Sequence, residues 1–270
     1  MNISEKFDLK KYNEWYNKTF HVNIELVKEV EELRNNLSKE LFQAIKNDRE
    51  ETTVWDMLLT LINDISIQVQ SENENFSFDV LPETIVNNPS QLRELIIKPT
   101  HSIINKMWRM NNFQRGMDYI SLDNVNVKMK DLIRFSIRTN SLKSSELLAQ
   151  YLIEHLKSGH GEDYSIYWNK ILESVEVNSE MKTSTGYFAY HIYFRLKIGV
   201  TVEMQIYSIL SDSWKKLSHK IYEAVRDEIN VRYNFNDVHS RIISIGHLLY
   251  LADCELYNLE EELKREKEPK

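Results

Sequence analysis

Cysteine is almost missing from this chain. Cys254 is the only one in 270 residues, which excludes an internal disulfide and any zinc site built from several cysteines. Glycine and proline are scarce too, at six and four. A chain of many tight turns needs more of both, so the shortage favours long helices around a modest sheet. No apolar run approaches the roughly 18 residues that a membrane-spanning helix requires. The first residues, MNISEKFDLKKYNEW, lack the apolar centre of a secretory signal. The expectation is a cytoplasmic protein with no membrane partner. Positive charge is also in deficit, with 34 Lys and Arg against 41 Asp and Glu and a net charge of −7. That argues against a general electrostatic nucleic-acid binder, while a local basic pocket stays compatible with it.

What is present is ordinary for a globular protein: 42% hydrophobic and 28% charged residues. The length suits one large domain, or one domain with helical additions. Apolar residues recur at helical spacing from about 23 to 47, through Ile24, Val27, Val30, Leu33, Leu37, Leu41 and Ile45. Further helices are expected over Val54 to Val69, Ser102 to Met110, Ser144 to Lys157, Leu210 to Arg226 and Asp237 to Lys264. Leu81 to Ser90 holds two of the four prolines and reads as a linker. Leu132 to Arg138 and Phe188 to Leu196 read as strands, and Gly199 separates the second from a third strand at Val200 to Tyr207. Glu162 to Glu180, rich in Glu and Asn, reads as a loop.

The third strand is the most informative. Val200, Val202, Met204 and Ile206 alternate with Thr201, Glu203, Gln205 and Tyr207, the period-2 pattern of a strand with one apolar face. Glu203 and Gln205 therefore project together. Acids are unfavourable in strands, and one placed mid-strand usually has a partner such as a metal or a substrate hydroxyl. Three other clusters carry chemistry. Lys98 and Lys106 bracket a helix start with Ser102 as a candidate N-cap, which is either a phosphate cradle or a pair of solvated lysines. Asp131, at the entry to an apolar strand, is either a Mg²⁺ ligand or a turn aspartate. Tyr187, Ala189 and His191 share one strand face after Gly186. Tyr187 would stack on a base or pack, and His191 would act or simply support the fold.

Each signal is weak singly, but their order along the chain is not. From about residue 92 to 225 it resembles the synthetase domain of RelA/SpoT-type alarmone synthetases, particularly the small single-domain kind. The residues that carry the resemblance are Lys98/Ser102/Lys106, Asp131-Leu-Ile, GYFAYH ending at His191, and Glu203-Met-Gln-Ile followed by Trp214 and His219. The resemblance implies an α+β fold: a mixed sheet of about five strands, nucleotidyltransferase-like, flanked by long amino- and carboxy-terminal helices. It divides the chain into a helical region (1–90), a synthetase core (91–226) and a carboxy-terminal helix packed on that core (227–270).

It also implies the chemistry, an ATP-dependent transfer of pyrophosphate to the 3′-hydroxyl of GDP or GTP. Asp131 would bind Mg²⁺, and Glu203 would bind Mg²⁺ or act as base. Tyr187 would stack on the acceptor base, while His191 and Gln205 would shape its pocket. Lys98, Lys106 and Lys182 would neutralise the ATP phosphates. Several positions depart from the family pattern. Ile96 and Ser136 stand where arginines are usual, and Arg134 and Arg138 flank Ser136 on the same strand face, within reach of a similar phosphate. Tyr207-Ser208 replaces Arg-Thr, and Ser218 replaces the glutamate before the helix-end histidine. The metal acids are thus kept and the basic contacts thinned. Two alternatives follow: a toxin-type relative that modifies the tRNA 3′ end or makes adenosine alarmones, and an inactive nucleotide-binding regulator. Long amphipathic helices leave a homo-oligomer open.

Overall fold

Two kinds of strand pairing meet in the sheet that organises this molecule. The computed structural model describes residues 7–46, 51–81, 84–113, 119–156, 165–182, 187–225 and 238–267. In chain order the elements are α1 (Leu9–Phe20), α2 (Leu26–Leu41), β1 (Ala44–Lys46), β2 (Glu51–Thr53), α3 (Val54–Glu72), β3 (Phe78–Val80), α4 (Pro89–Leu95), α5 (Thr100–Phe113) and α6 (Val125–Lys128). They continue as β4 (Ile133–Thr139), α7 (Leu142–Leu156), α8 (Ser165–Lys170), β5 (Leu172–Lys182), β6 (Tyr187–Leu196), β7 (Thr201–Ser208), α9 (Ile209–Val225) and α10 (Val238–Lys267). The main sheet has five strands in the order β3-β4-β7-β6-β5. The β4–β7 pairing is parallel and the others are antiparallel. The α+β class and the five-stranded mixed sheet are thus as expected.

The central strand differs from its expected one-sided burial. All eight residues of β7 are buried, the polar row included. Val202, Met204 and Ile206 join the main apolar cluster. On that side α7 packs across β4, β7, β6 and β5, with α3 behind it, and Trp55 meets Phe135 edge to face at 5.5 Å. On the other side α9 crosses β4, β6 and β7, so the row Thr201, Glu203, Gln205, Tyr207 is roofed. At the sheet's rim α10 contacts α9, α7 and β6. The buried Asp253 carboxylate ties it down by accepting from the Leu142 backbone N–H at 2.9 Å.

Four local expectations change. The helix expected from about 23 to 47 stops at Leu41, and Ile45 lies in β1, paired to β2. Leu41 and Ile45 keep a helical spacing by coincidence, which periodicity alone cannot detect. The second helix, expected to end at Val69, runs on to Glu72. Ser102 is not an N-cap: α5 starts at Thr100, and the Pro99 carbonyl accepts the first helical bond from Ile103 N–H at 3.0 Å. The stretch read as a loop up to Glu180 contains α8 and most of β5. Glu173 and Glu176 hide the strand pattern because β5 is an edge strand, where charge deters pairing with other chains.

The amino-terminal helices hold the Lys98 segment in place. Arg34 of α2, nearly fully buried, donates to the Arg93 carbonyl at 2.8 Å and to Glu31 at 3.0 Å, and Thr100 donates to the same Glu31. This pins the α4–α5 junction. Ile97 then bridges Ile133, and Lys98 N–H donates to the Leu132 carbonyl at 2.8 Å. Lys98 is thereby fixed beside the start of β4. Among the described residues no helix is long and apolar enough to cross a membrane.

The β6–β7 hairpin turns at Gly199, whose φ is +82°, a backbone conformation that costs other L-residues roughly 1–2 kcal/mol. A Cβ there would meet nothing within 4 Å, so the cost is conformational, not steric. Gly199→Ala is expected to lower the unfolding free energy by about 1 kcal/mol. Urea denaturation checks this: the midpoint should fall with an unchanged slope, and an unaltered midpoint would show that the turn is unstrained.

Candidate functional site

Strand register brings the polar residues onto one face. Arg134, Glu203 and Tyr193 are aligned across β4, β7 and β6, and Ser136, Gln205 and His191 form the next row. Because paired residues share a face, these rows and those around them build one polar surface beneath α9.

At the centre lies Glu203, 4% exposed, with His191 at 3%. His191 Nδ1 is 2.6 Å from Glu203 Oε1. A carboxylate only accepts, so with Glu203 ionised Nδ1 is the donor. The Tyr193 hydroxyl reaches the same oxygen at 3.5 Å. Glu203 Oε2 and His191 Nε2 are buried and have no hydrogen-bond partner. Most buried polar atoms are paired, so two orphans on adjoining side chains single this pair out as a candidate site.

At the amino-terminal end of β4, Asp131 Oδ2 accepts from Lys98 Nζ at 2.8 Å and Oδ1 from Lys106 Nζ at 2.5 Å. Burial alone would raise the Asp131 pKa, but Lys98 and then Lys106 outweigh it and hold the carboxyl well below the usual range. Burial lowers the Lys98 pKa, opposed by Asp131 and assisted by Arg134 and Lys106. Arg134 is exposed on β4 beside this group. The segment is thus a self-neutralised cluster with cations in excess.

At the opposite end, Gln205 Oε1 accepts from the Tyr187 hydroxyl at 3.2 Å and from Lys215 Nζ at 3.0 Å. The Tyr187 ring is half-buried against Leu81, Ala189 and Tyr207 and meets His191 edge to face at 6.3 Å. Burial raises the Tyr187 pKa, with Tyr207 adding to it, so the phenol stays protonated.

The sequence-derived residues therefore fall into two groups. Glu203, His191, Gln205 and Tyr187 share the polar face of β6 and β7, while Lys98, Lys106 and Asp131 meet at the start of β4. Ser102 lies in the first turn of α5. Arg138 is engaged elsewhere, 2.8 Å from Asp79 and 3.5 Å from the buried Asp212. Lys182 pairs with Tyr187 in the β5–β6 ladder, but its side chain, like Gly186 and the His219 side chain, lies outside what the structure describes. Tyr193 and Lys215 were missed. Extending the period-2 run from Tyr187 through His191 reaches Tyr193, whereas Lys215 leaves no local signal.

Among the described residues, no three His, Cys, Asp or Glu side chains group to hold a metal. Mg²⁺ commonly takes one or two carboxylates and completes its shell with water and substrate phosphates. Glu203 Oε2, a buried carboxylate oxygen without a partner, fits that demand. Asp131 fits only once Lys98 and Lys106 leave its two oxygens.

No protein-family model matches the chain, and no curated protein matches it. Solved structures do resemble it. The small alarmone synthetase 1 from Bacillus subtilis is 15% identical, with a TM-score of 0.49 over 78% of this chain and 93% of that one. A second structure of that protein is bound to its product pppGpp. The small alarmone synthetase 2 from the same organism is 17% identical, with a TM-score of 0.44 over 77% of this chain and 96% of that one. A GTP pyrophosphokinase family protein from Streptococcus pneumoniae is 11% identical, with a TM-score of 0.41 over 78% of this chain and 93% of that one.

The depressed Asp131 pKa has a consequence for acid stability. The unfolded chain binds the proton more readily, so the ion pairs contribute their full stability above the unfolded pKa, near 4, and lose it as pH falls further. Asp131→Asn should be less stable than the parent at pH 7, and the gap should narrow between about pH 5 and pH 2. Urea unfolding across that range measures it, and a gap that does not change with pH would refute it.

Proposed function

We propose that the polar face of the sheet transfers the β,γ-pyrophosphate of ATP to the ribose 3′-hydroxyl of GDP or GTP. One observation carries this reading. Glu203 is a buried carboxylate, oriented by His191, whose second oxygen has no partner. It lies between a cation cluster at one end of the face and the Tyr187–Gln205 pair at the other. Such a group suits a hydroxyl that must be held and deprotonated in a site closed to water.

Glu203 Oε2 takes the 3′-hydroxyl proton. The ribose 3′-oxygen bonds to the β-phosphorus of ATP, the bond from the β-phosphorus to the α,β-bridging oxygen breaks, and AMP leaves with that bridging oxygen. His191 holds Glu203 through Oε1 and leaves Oε2 directed at the acceptor. Lys98 and Lys106 exchange Asp131 for the polyphosphate oxygens, with Arg134 alongside, and offset the charge that develops there. Mg²⁺ would be held by Asp131 after that exchange, or by Glu203 Oε2 in place of its role as base, and would neutralise phosphate charge. Tyr187 and Gln205 shape the acceptor pocket, where the tyrosine ring offers a nucleobase its free edge or face.

Incubation with γ-labelled ATP, Mg²⁺ and GDP or GTP should give a 3′-pyrophosphorylated nucleotide and AMP in equal amounts. Glu203→Gln should slow the reaction by about 100- to 10,000-fold, the usual worth of a general base, without loss of ATP binding. Label on tRNA would move the acceptor to the tRNA 3′ end. Nucleotide binding without any transfer would leave a sensor and sink the proposal.

A further inference from the structure

The carboxy-terminal helix is apolar on two sides, and the fold uses only one of them. On the packed side of α10, His247 meets Phe188 of β6 edge to face at 5.6 Å and Tyr250 stacks on the same ring at 4.2 Å. The buried Asp253 holds the Leu142 N–H from this side. The other side carries Ile245, Leu248, Ala252, Leu256, Leu259 and Leu263, all exposed, and the five large side chains are 46–63% exposed. Exposed leucines scattered singly are normal. These six are contiguous: steps of three and four residues place them within roughly a quarter of the helix circumference. The spacing repeats after eleven residues, from Ile245 to Leu256, from Leu248 to Leu259 and from Ala252 to Leu263. Such a repeat stays close to the turn of a straight helix, so the stripe does not drift off its side. A helix that is apolar all round is ordinarily buried all round.

We propose that a second copy of this chain covers the stripe, α10 lying antiparallel on α10 about a two-fold axis. The stripe is complementary to its own reverse. Turned about Asp253 and Cys254, Ile245 falls opposite Leu263, Leu248 opposite Leu259, and the small Ala252 opposite Leu256. This is the self-matching that a two-fold interface requires. Just beyond the stripe, the exposed Arg241 falls opposite the exposed Glu266. Charge fixes the direction. No Asp or Glu occurs from Val238 to Ala252, whereas Glu255, Glu260, Glu262 and Glu266 are exposed in the second half of the helix. A parallel pair would set acid beside acid, which is costly. The antiparallel pair sets the acidic half beside the half without acids, and joins Arg241 to Glu266 at both ends. Area fixes the strength. From Arg241 to Glu266 the helix runs roughly 38 Å, and at about 10 Å across it offers roughly 400 Å² per copy. A standard stable interface buries about 800 Å² per partner, so the dimer is weak and concentration-dependent.

Sedimentation equilibrium of the full chain, from about 1 µM to about 200 µM, tests this across the range expected of a weak complex. The mass should rise with concentration from 32.2 kDa toward twice that value. Leu248→Glu and Leu256→Glu, which put a charge into the pairing surface, should each weaken association by at least about tenfold. Circular dichroism and the urea midpoint should stay at the parent values, because both positions are exposed in the single chain. Leu248→Gln, uncharged and similar in length, should weaken it in the same direction. Arg241→Glu should weaken it too, and adding Glu266→Arg should restore it. A parent that stays monomeric throughout would overturn the proposal. An oligomer that the leucine variants leave intact would also overturn it, by placing the contact elsewhere. Failure of the double charge reversal to recover what Arg241→Glu loses would refute the antiparallel register.

Discussion

The contact on which the arrangement depends is the 2.6 Å hydrogen bond between His191 and Glu203. Glu203 occupies the middle of the central strand, where both faces are covered. Removing a carboxylate from water costs several kcal/mol unless partners replace the lost hydration. His191 supplies one partner from β6 and Tyr193 a longer second one, so two strands must lie in a single register for the charge to be tolerated. A slip of one residue in β7 would turn Glu203 onto the apolar side and Met204 or Val202 onto the polar one. Register, buried charge and candidate chemistry are therefore one constraint. Replacing the pair by apolar residues of similar size could leave the fold more stable, as is often true of buried ionic groups. The acid is better explained by its unused oxygen than by any gain in stability.

The second feature is a charge cluster that stores its cations. Lys98 and Lys106 both rest on Asp131. Three charged side chains at the edge of the sheet thereby carry a smaller net charge than two bare ammonium groups would. Under the proposed transfer, a polyphosphate would offer more oxygens than one carboxylate and would compete for both lysines at once. The position of Lys98 comes from far along the chain: Arg34 in α2 holds the α4–α5 junction, and the bridge from Ile97 to Ile133 seats the lysine at the start of β4. The amino-terminal helices thus act on the site by fixing where a positive charge can stand.

Much of this face was legible in the sequence. Alternation located β6 and β7 because each is long enough to show two full periods, and the apolar stretch from Leu132 to Arg138 was legible as β4. It also put Glu203 beside Gln205, and Tyr187 beside His191. The edge strand β5 was illegible because its solvated face carries glutamates, and composition there resembles a loop. Ser102 was misjudged because the α5 start depends on the Pro99 carbonyl, not on a side-chain oxygen. Alternation also gave β7 one apolar and one polar face, and only the three-dimensional path of α9 reveals that the polar one is covered too. Lys215 was out of reach for the same reason. Its partners Gln205 and Tyr207 lie on a strand, and no spacing rule links a helix residue to the strand before it across the turn of the chain. Tyr207 itself was noticed as a departure from arginine, but the lysine above its ring was not.

The junction between β7 and α9 explains why so much of the site follows from one register. The strand ends at Ser208 and the helix begins at Ile209, and the Ser208 hydroxyl accepts from the Ser211 backbone N–H at 3.1 Å. With no intervening loop, the helix has little freedom to swing independently of the strand. Asp212 and Lys215 are three residues apart and so share a helix face. One reaches Arg138 and the other Gln205. The roof of the polar face is thereby keyed to its floor: the pairing that aligns β4 with β7 also settles where the helix's acid and base land. Had a flexible loop joined the two elements, Lys215 would have been free to turn toward water, and the buried amide oxygen of Gln205 would have lost its charged donor.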